Sequence, residues 1–93
     1  MLLKIKKLNI ENEGYKRRFS IQTVFINKMN IVSVMDYKGI NEFLIREESS
    51  LSEKKFSLIK LNEGREVTDI IALGSAEEIF SDSKTEGKQL LNE

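Results

Sequence analysis

Apolar and polar residues alternate at the start of the chain with the two-residue period of a β-strand. Leu3 and Ile5 alternate with Lys4 and Lys6. Successive side chains of a strand point to opposite faces, so this pattern predicts a strand with one apolar and one basic face.

A second strand is predicted over residues 18–26, where Phe19, Ile21 and Thr23 fall in one phase of the alternation. The alternation is lost at residues 24–26, because three apolar residues follow one another there. This loss predicts either a β-bulge or burial on both faces of the sheet.

Shorter apolar runs predict further strands in the middle of the chain. A turn over residues 27–30 leads into a strand over residues 30–35. The apolar run at residues 42–46 predicts a short strand that pairs with it across Gly39, and residues 47–55 have the composition of a loop.

Residues 56–61 and 66–73 predict an antiparallel hairpin. The connection between them contains Asn62, Glu63 and Gly64. Glycine accepts the positive φ of a tight turn without a Cβ clash, which makes this the best-defined hairpin of the sequence.

The end of the chain has a different pattern. Ser75 is followed three residues later by Glu78, the capping-box arrangement that starts a helix, and Ile79 and Phe80 are predicted to dock this helix on the sheet. Residues 81–93 are polar except for one apolar pair. That pair, Leu90 and Leu91, is either part of a frayed terminus or an anchor for a neighbouring subunit or partner.

Together these elements predict a mainly β fold. Five to six short strands with one C-terminal helix favour a small antiparallel SH3-like barrel or a bent sheet over alternating β and α units. Residues 1–80 are predicted to form a single β-rich domain, followed by a polar tail over residues 81–93.

The composition excludes most catalytic chemistry. The 93 residues include no His, Cys, Pro or Trp. Catalysis by a His-based triad or a thiol nucleophile is therefore excluded, and so is a metal site with thiolate ligands. The adjacent acids at 47–48 and 77–78 do not predict two carboxylates that face each other across a cleft. The sequence also contains no glycine-rich phosphate-binding loop. We therefore expect no enzymatic activity, no metal site and no cofactor.

The charges cancel overall but not locally. Fifteen Lys and Arg balance fifteen Asp and Glu, although the first twenty residues carry six cations against two acids and the end of the chain is acidic. The residues predicted to bind a partner are Lys4, Lys6, Lys7, Arg17, Arg18, Tyr37, Leu90 and Leu91. The basic residues have Tyr15 and Phe19 nearby, as in proteins that stack nucleic-acid bases, but an acidic protein surface or the tail of a second copy would also fit them.

No segment predicts export or membrane insertion. The first charged residue is Lys4, so the 7–15 apolar residues of a signal peptide are missing, and no window approaches the ~20 apolar residues that cross a bilayer. A cytoplasmic location is therefore expected.

Residues 24–35 and 56–79 resemble small SH3-like proteins encoded in flagellar operons and among the short reading frames of tailed phages. In those proteins a strand ending in an I-N-x-x-x-I turn, here residues 26–31, is followed by a strand, a hairpin over a glycine turn and a short terminal helix. The resemblance covers a little over a third of the chain, and residues 36–55 are an insertion relative to the shorter members. It implies a role in binding or assembly and no catalytic residues.

The expected function is that of a non-enzymatic protein-binding or structural module, such as a phage accessory or virion assembly component. It would dock on a protein partner, or within a homo- or hetero-oligomeric assembly, through its basic N-terminal strand and its C-terminal tail. The alternative is a regulator that binds nucleic acid through residues 4–18.

Overall fold

The computed structural model describes residues 1–81 of the chain. Five strands are found there: β1 (Leu2–Glu13), β2 (Lys16–Asn27), β3 (Ile31–Asp36), β4 (Phe56–Glu63) and β5 (Glu66–Leu73). Helix α1 (Gly39–Arg46) lies between β3 and β4, and short 3-10 turns occupy Lys28–Asn30 and Ser50–Glu53. Residues 76–81 are helical and are called α2 here.

The strands form one antiparallel sheet in the order β2-β1-β5-β4-β3. The predicted mainly β class with a short C-terminal helix is confirmed. Within residues 1–81 no ladder joins the outer strands β2 and β3, so the sheet is open and bent rather than closed into a barrel.

Both tight hairpins turn over a glycine. Gly14, between β1 and β2, has φ 64°, and Gly64, between β4 and β5, has φ 72°. Residues with a Cβ rarely adopt this left-handed conformation. The predicted hairpin over Gly64 is confirmed, with Glu63 paired opposite Glu66.

One face of the sheet packs against α2. We call its buried cluster the α2-side core, and it consists of Leu3, Ile5, Ile26, Ile59, Leu61, Ala72 and Ile79. Val24 from β2 and Val34 from β3 pack against this same cluster although the two strands lie at opposite edges. The sheet therefore bends around the α2-side core.

The other face of the sheet packs against α1. We call its buried cluster the α1-side core, and it consists of Leu8, Ile40, Leu44 and Phe56. Leu8 lies on the opposite face of β1 from Leu3 and Ile5, because side chains of a strand alternate between faces. The strand is therefore buried on both faces in its middle.

The prediction of a strand over residues 42–46 is wrong, because those residues form the second half of α1. Ile40, Phe43 and Leu44 lie on one side of that helix, at the i, i+3, i+4 spacing of an amphipathic helix, and pack into the α1-side core. Gly39 begins the helix instead of turning a hairpin.

The bulge or two-sided burial predicted at residues 24–26 is also wrong. β2 pairs with β1 without a register shift from Lys16 to Asn27. Val24 and Ile26 face the α2-side core, while Phe25 projects from the other face and is 61% exposed. The register shift of the sheet lies in β3 instead, between Ile31 and Ser33.

The start of α2 is held by short polar contacts. The Ser75 hydroxyl accepts from the Glu78 backbone N–H at 3.1 Å, which confirms the predicted cap. Asp36 at the end of β3 accepts from the Ala76 N–H at 2.8 Å, and Ser57 donates to the Gly74 carbonyl at 2.7 Å.

The two apolar residues predicted to dock α2 differ in their burial. Ile79 is buried in the α2-side core, as predicted. Phe80 is 65% exposed, so the prediction is wrong for this residue. On so short a helical segment the neighbour of a buried residue points about 100° away from it.

Candidate protein-binding surface

Among the described residues 1–81, strand β2 forms one edge of the sheet and pairs with β1 alone. Its nine residues 19–27 carry no charge; we call them the β2 edge. Apart from the ladder with β1, no hydrogen bond within residues 1–81 reaches the backbone of residues 19–26. The outer N–H and C=O groups of this strand are a template on which another strand can pair.

The opposite edge of the sheet is a poorer template. β3 has six residues, half the length of β2, and its register shifts between Ile31 and Ser33. Short edge strands and bulges are the features that discourage edge pairing. The β2 edge has neither, so it is the edge on which strand addition is favoured.

A basic and apolar groove lies over the N-terminal half of β1, between Phe25 of the β2 edge and Leu73 of β5. Phe25 pairs directly opposite Lys4 of β1, and residues opposite each other in an antiparallel pair project from the same face. We call it the β1–β2 groove, and it is lined by Leu2, Leu3, Lys4, Ile5, Lys6, Phe25, Leu73 and Ile79. Among the described residues 1–81 none that lines it is acidic, so its lysines favour an acidic ligand and its other side chains an apolar one.

The predicted basic residues do not form one surface. Lys4 and Lys6 share the β1–β2 groove, whereas Lys7 and Arg18 project from the opposite face of the hairpin. Arg17 lies on the same face as Lys6 but pairs with Asn12, six residues further along β1. At about 3.3 Å per residue this places Arg17 roughly 20 Å from Lys6.

Arg17 is engaged within the chain. Its guanidinium contacts the Glu47 carboxylate at the C-terminal end of α1 and lies 5.3 Å from the centre of the Phe43 ring. Phe43 in turn packs edge-to-face against Phe19, with ring centres 5.9 Å apart. These contacts fasten the β1–β2 hairpin to α1.

We expect a double-mutant cycle of Arg17→Ala and Glu47→Ala to give a coupling energy of about 0.2–1 kcal/mol, because both side chains are partly exposed. Urea unfolding of the four proteins at low and high salt measures it. The coupling should shrink at high salt, and a value of zero at low salt would contradict the described ion pair.

Arg18 and the tip of the hairpin are more open. Arg18 lies 3.5 Å from Glu13, and both side chains are largely exposed, so the pair adds little stability. Tyr15, beside the Gly14 turn, is 96% exposed. The tip therefore combines a cation with an aromatic ring, but it is separated along the hairpin from the β1–β2 groove.

Two other predicted contacts lie elsewhere. Tyr37 is half-buried, packs against the α1-side core and donates its backbone N–H to the Phe56 carbonyl at 2.9 Å. Leu90 and Leu91 lie outside the described residues, as does the predicted tail beyond Ser81. The structure therefore brings only Lys4 and Lys6 together among the predicted residues.

Sequence reasoning missed the most distinctive parts of this surface, the β2 edge and Phe25. Which strand lies at an edge depends on the strand order, which pairing over long separations decides. The available sequence signal was the run of nine uncharged residues at 19–27, the longest such run in the chain.

Residues 1–81 contain no group of three or more acidic residues placed to hold a metal ion. Nor does any helix in that range have the length and apolar character needed to span a membrane.

Comparison with known proteins gives no match. No family model, no curated protein and no solved structure matches the chain.

Proposed function

We propose that this chain is a non-enzymatic protein-binding or structural module that takes up an extended segment of a partner at the β2 edge. The observation that carries the proposal is the long, regular edge strand with nine uncharged residues at 19–27, since folded proteins normally protect such an edge with charge, proline or a bulge. Addition of a strand to an exposed sheet edge is a common mode of peptide recognition.

Affinity and selectivity would come from different groups in this mode. Backbone hydrogen bonds along the β2 edge supply affinity for any extended segment. Phe25 and Leu2 offer an apolar contact, and Lys4 and Lys6 offer positive charge on the same face. The preferred segment would therefore place apolar side chains beside Phe25, and acidic side chains are compatible with the lysines on the same face.

The wider setting that we propose is an assembly, such as that of a phage accessory or virion component. The resemblance of residues 24–35 and 56–79 to small SH3-like proteins of phages and flagellar operons supports this setting. The C-terminal tail is proposed as a second contact element, and the host cytoplasm or the virion as the location.

A library of random twelve-residue peptides displayed on phage tests strand addition. Selection on the purified protein should yield apolar and acidic peptides, and nuclear magnetic resonance titration with a selected peptide should shift backbone amides of residues 16–27. We expect the variant Phe25→Lys to bind the selected peptide at least tenfold more weakly, because the new charge lies beside two lysines and replaces the apolar contact.

Val67→Lys is the matched control. Val67 is 60% exposed, close to the 61% of Phe25, but lies on the interior strand β5. Peptide binding to this variant should stay within twofold of the original. The proposal fails if no peptide is selected, if the shifted amides lie outside β2, or if both variants bind equally well.

A nucleic-acid-binding role is the second candidate, since Lys4 and Lys6 lie beside the exposed ring of Phe25. Cations next to an aromatic ring suit a single-stranded nucleic acid, which stacks its bases and pairs its phosphates. A salt titration of binding to random single-stranded DNA decides the matter. A steep loss of affinity with salt, removed by Lys4→Ala with Lys6→Ala, supports this role; no binding at low salt excludes it.

A further inference from the structure

We infer that the partner strand at the β2 edge is β2 of a second copy of this chain, running antiparallel, so that two sheets join into one. This inference rests on the proposed function, because it names the occupant of the same edge. A symmetric dimer of this kind uses one self-complementary patch from each copy.

The distribution of charge along β2 supports an antiparallel copy. All three charges of the strand are positive and lie at its start, at Lys16, Arg17 and Arg18. A parallel copy would place each cation beside its equivalent, and like charges directly opposite one another are destabilising. An antiparallel copy places them beyond Asn27 of the partner strand, where only Lys28, the first residue of the 3-10 turn Lys28–Asn30, is a like charge opposite Arg18.

The length of the uncharged run specifies a register. Residues 19–27 overlap completely with their antiparallel copies when Thr23 pairs with Thr23 of the second copy. Ile21 of each copy then pairs with Phe25 of the other. Threonine pairs and pairs of an aromatic with a β-branched residue are among the favourable cross-strand pairs.

This register accounts for an otherwise unexplained exposure. Phe25 is 61% exposed in the single chain, whereas Ile21 on the same face is half-buried against the α1-side core. Pairing with a second copy would set Phe25 beside Ile21 and extend that apolar cluster across the joint. The exposed Phe25 of one copy and the half-buried Ile21 of the other thus become neighbours.

The other edge gives no equivalent arrangement. β3 has six residues and a register shift, so pairing of β2 with β3 of another copy would cover less of the strand. Such head-to-tail pairing would also leave open edges at both ends and continue into a filament. Pairing of β2 with β2 closes at two copies.

Disulfide cross-linking tests the register, because the chain contains no cysteine of its own. In Thr23→Cys the two thiols would lie on directly opposed residues, about 4.5–5.5 Å apart between Cα atoms, which a disulfide can bridge. In the control Ser20→Cys the two thiols would lie six residues apart along the pair, roughly 20 Å. We expect mild oxidation to give at least ten times more covalent dimer from Thr23→Cys.

Sedimentation of the cysteine-free protein is the second measurement. It should show a concentration-dependent dimer whose dissociation constant rises at least tenfold in Phe25→Lys and stays within twofold in Val67→Lys. A strict monomer at millimolar concentration, or equal cross-linking of the two cysteine variants, overturns the inference. If the chain is monomeric while selected peptides still shift the amides of β2, the edge binds another protein, and only this inference fails.

Discussion

Replacement of Ile59 by alanine is expected to lower the free energy of unfolding by about 2–5 kcal/mol. Ile59 is fully buried in β4, within the α2-side core around which the sheet bends. Removing its side chain leaves a cavity bordered by residues of several strands, which cannot all move to fill it. For a chain of this size the loss is a large share of a total stability of about 5–15 kcal/mol.

Urea unfolding followed by circular dichroism measures this loss. Ile59→Val is the graded control, because it removes one methylene and should cost only about 0.5–1.5 kcal/mol. If Ile59→Ala and Ile59→Val were equally stable, the position would not have the tight packing described for it.

Replacement of Leu44 by alanine is expected to have an effect of the same size, about 2–5 kcal/mol, on the other face of the sheet. Leu44 is fully buried between α1 and the sheet, in one cluster with Leu8 and Phe56. The neighbouring Ile45 is 62% exposed on the same helix and provides the matched control. Ile45→Ala should change the stability by less than about 0.5 kcal/mol.

The double variant Ile59→Ala with Leu44→Ala tests whether the two cores unfold together. The sheet separates the two sites, so their losses should add within about 0.5 kcal/mol if unfolding is two-state. A biphasic transition in the Leu44→Ala protein would mean instead that α1 detaches before the sheet unfolds.

The sequence predicts the β4–β5 hairpin and the start of α2 because their determinants are local. A glycine at a positive φ fixes the turn at Gly64, and a serine followed by a glutamate fixes the cap at Ser75. In each case a single residue type is strongly favoured by backbone geometry or by an unpaired N–H group, so neighbouring residues suffice.

Helix α1 was mispredicted because its apolar run is short. Five residues are too few to separate a two-residue period from a helical one. The decisive spacing runs from Ile40 to Leu44 and includes a residue before the run. The sheet surface under α1, built from Leu8 and Phe56, stabilises the helix and is distant in sequence.

The candidate surface depended even more on distant residues. Lys4 and Lys6 could be recognised as a basic face from alternation alone, and the structure places them in one groove. Arg17 instead contacts Glu47, which is thirty residues away in sequence. This contact depends on where α1 packs on the sheet. β2 is an edge strand because β5 pairs with the other side of β1.

The position of β1 between β2 and β5 has a consequence for the chain during its synthesis. β2 follows β1 directly, whereas the other neighbour, β5, is complete only 46 residues after the end of β2. At about 5–20 residues per second a ribosome needs roughly 2–9 seconds to make that length. A β1–β2 hairpin formed in that time would have two open edges, and the lysines of β1 are charges of the kind that discourage pairing with other chains.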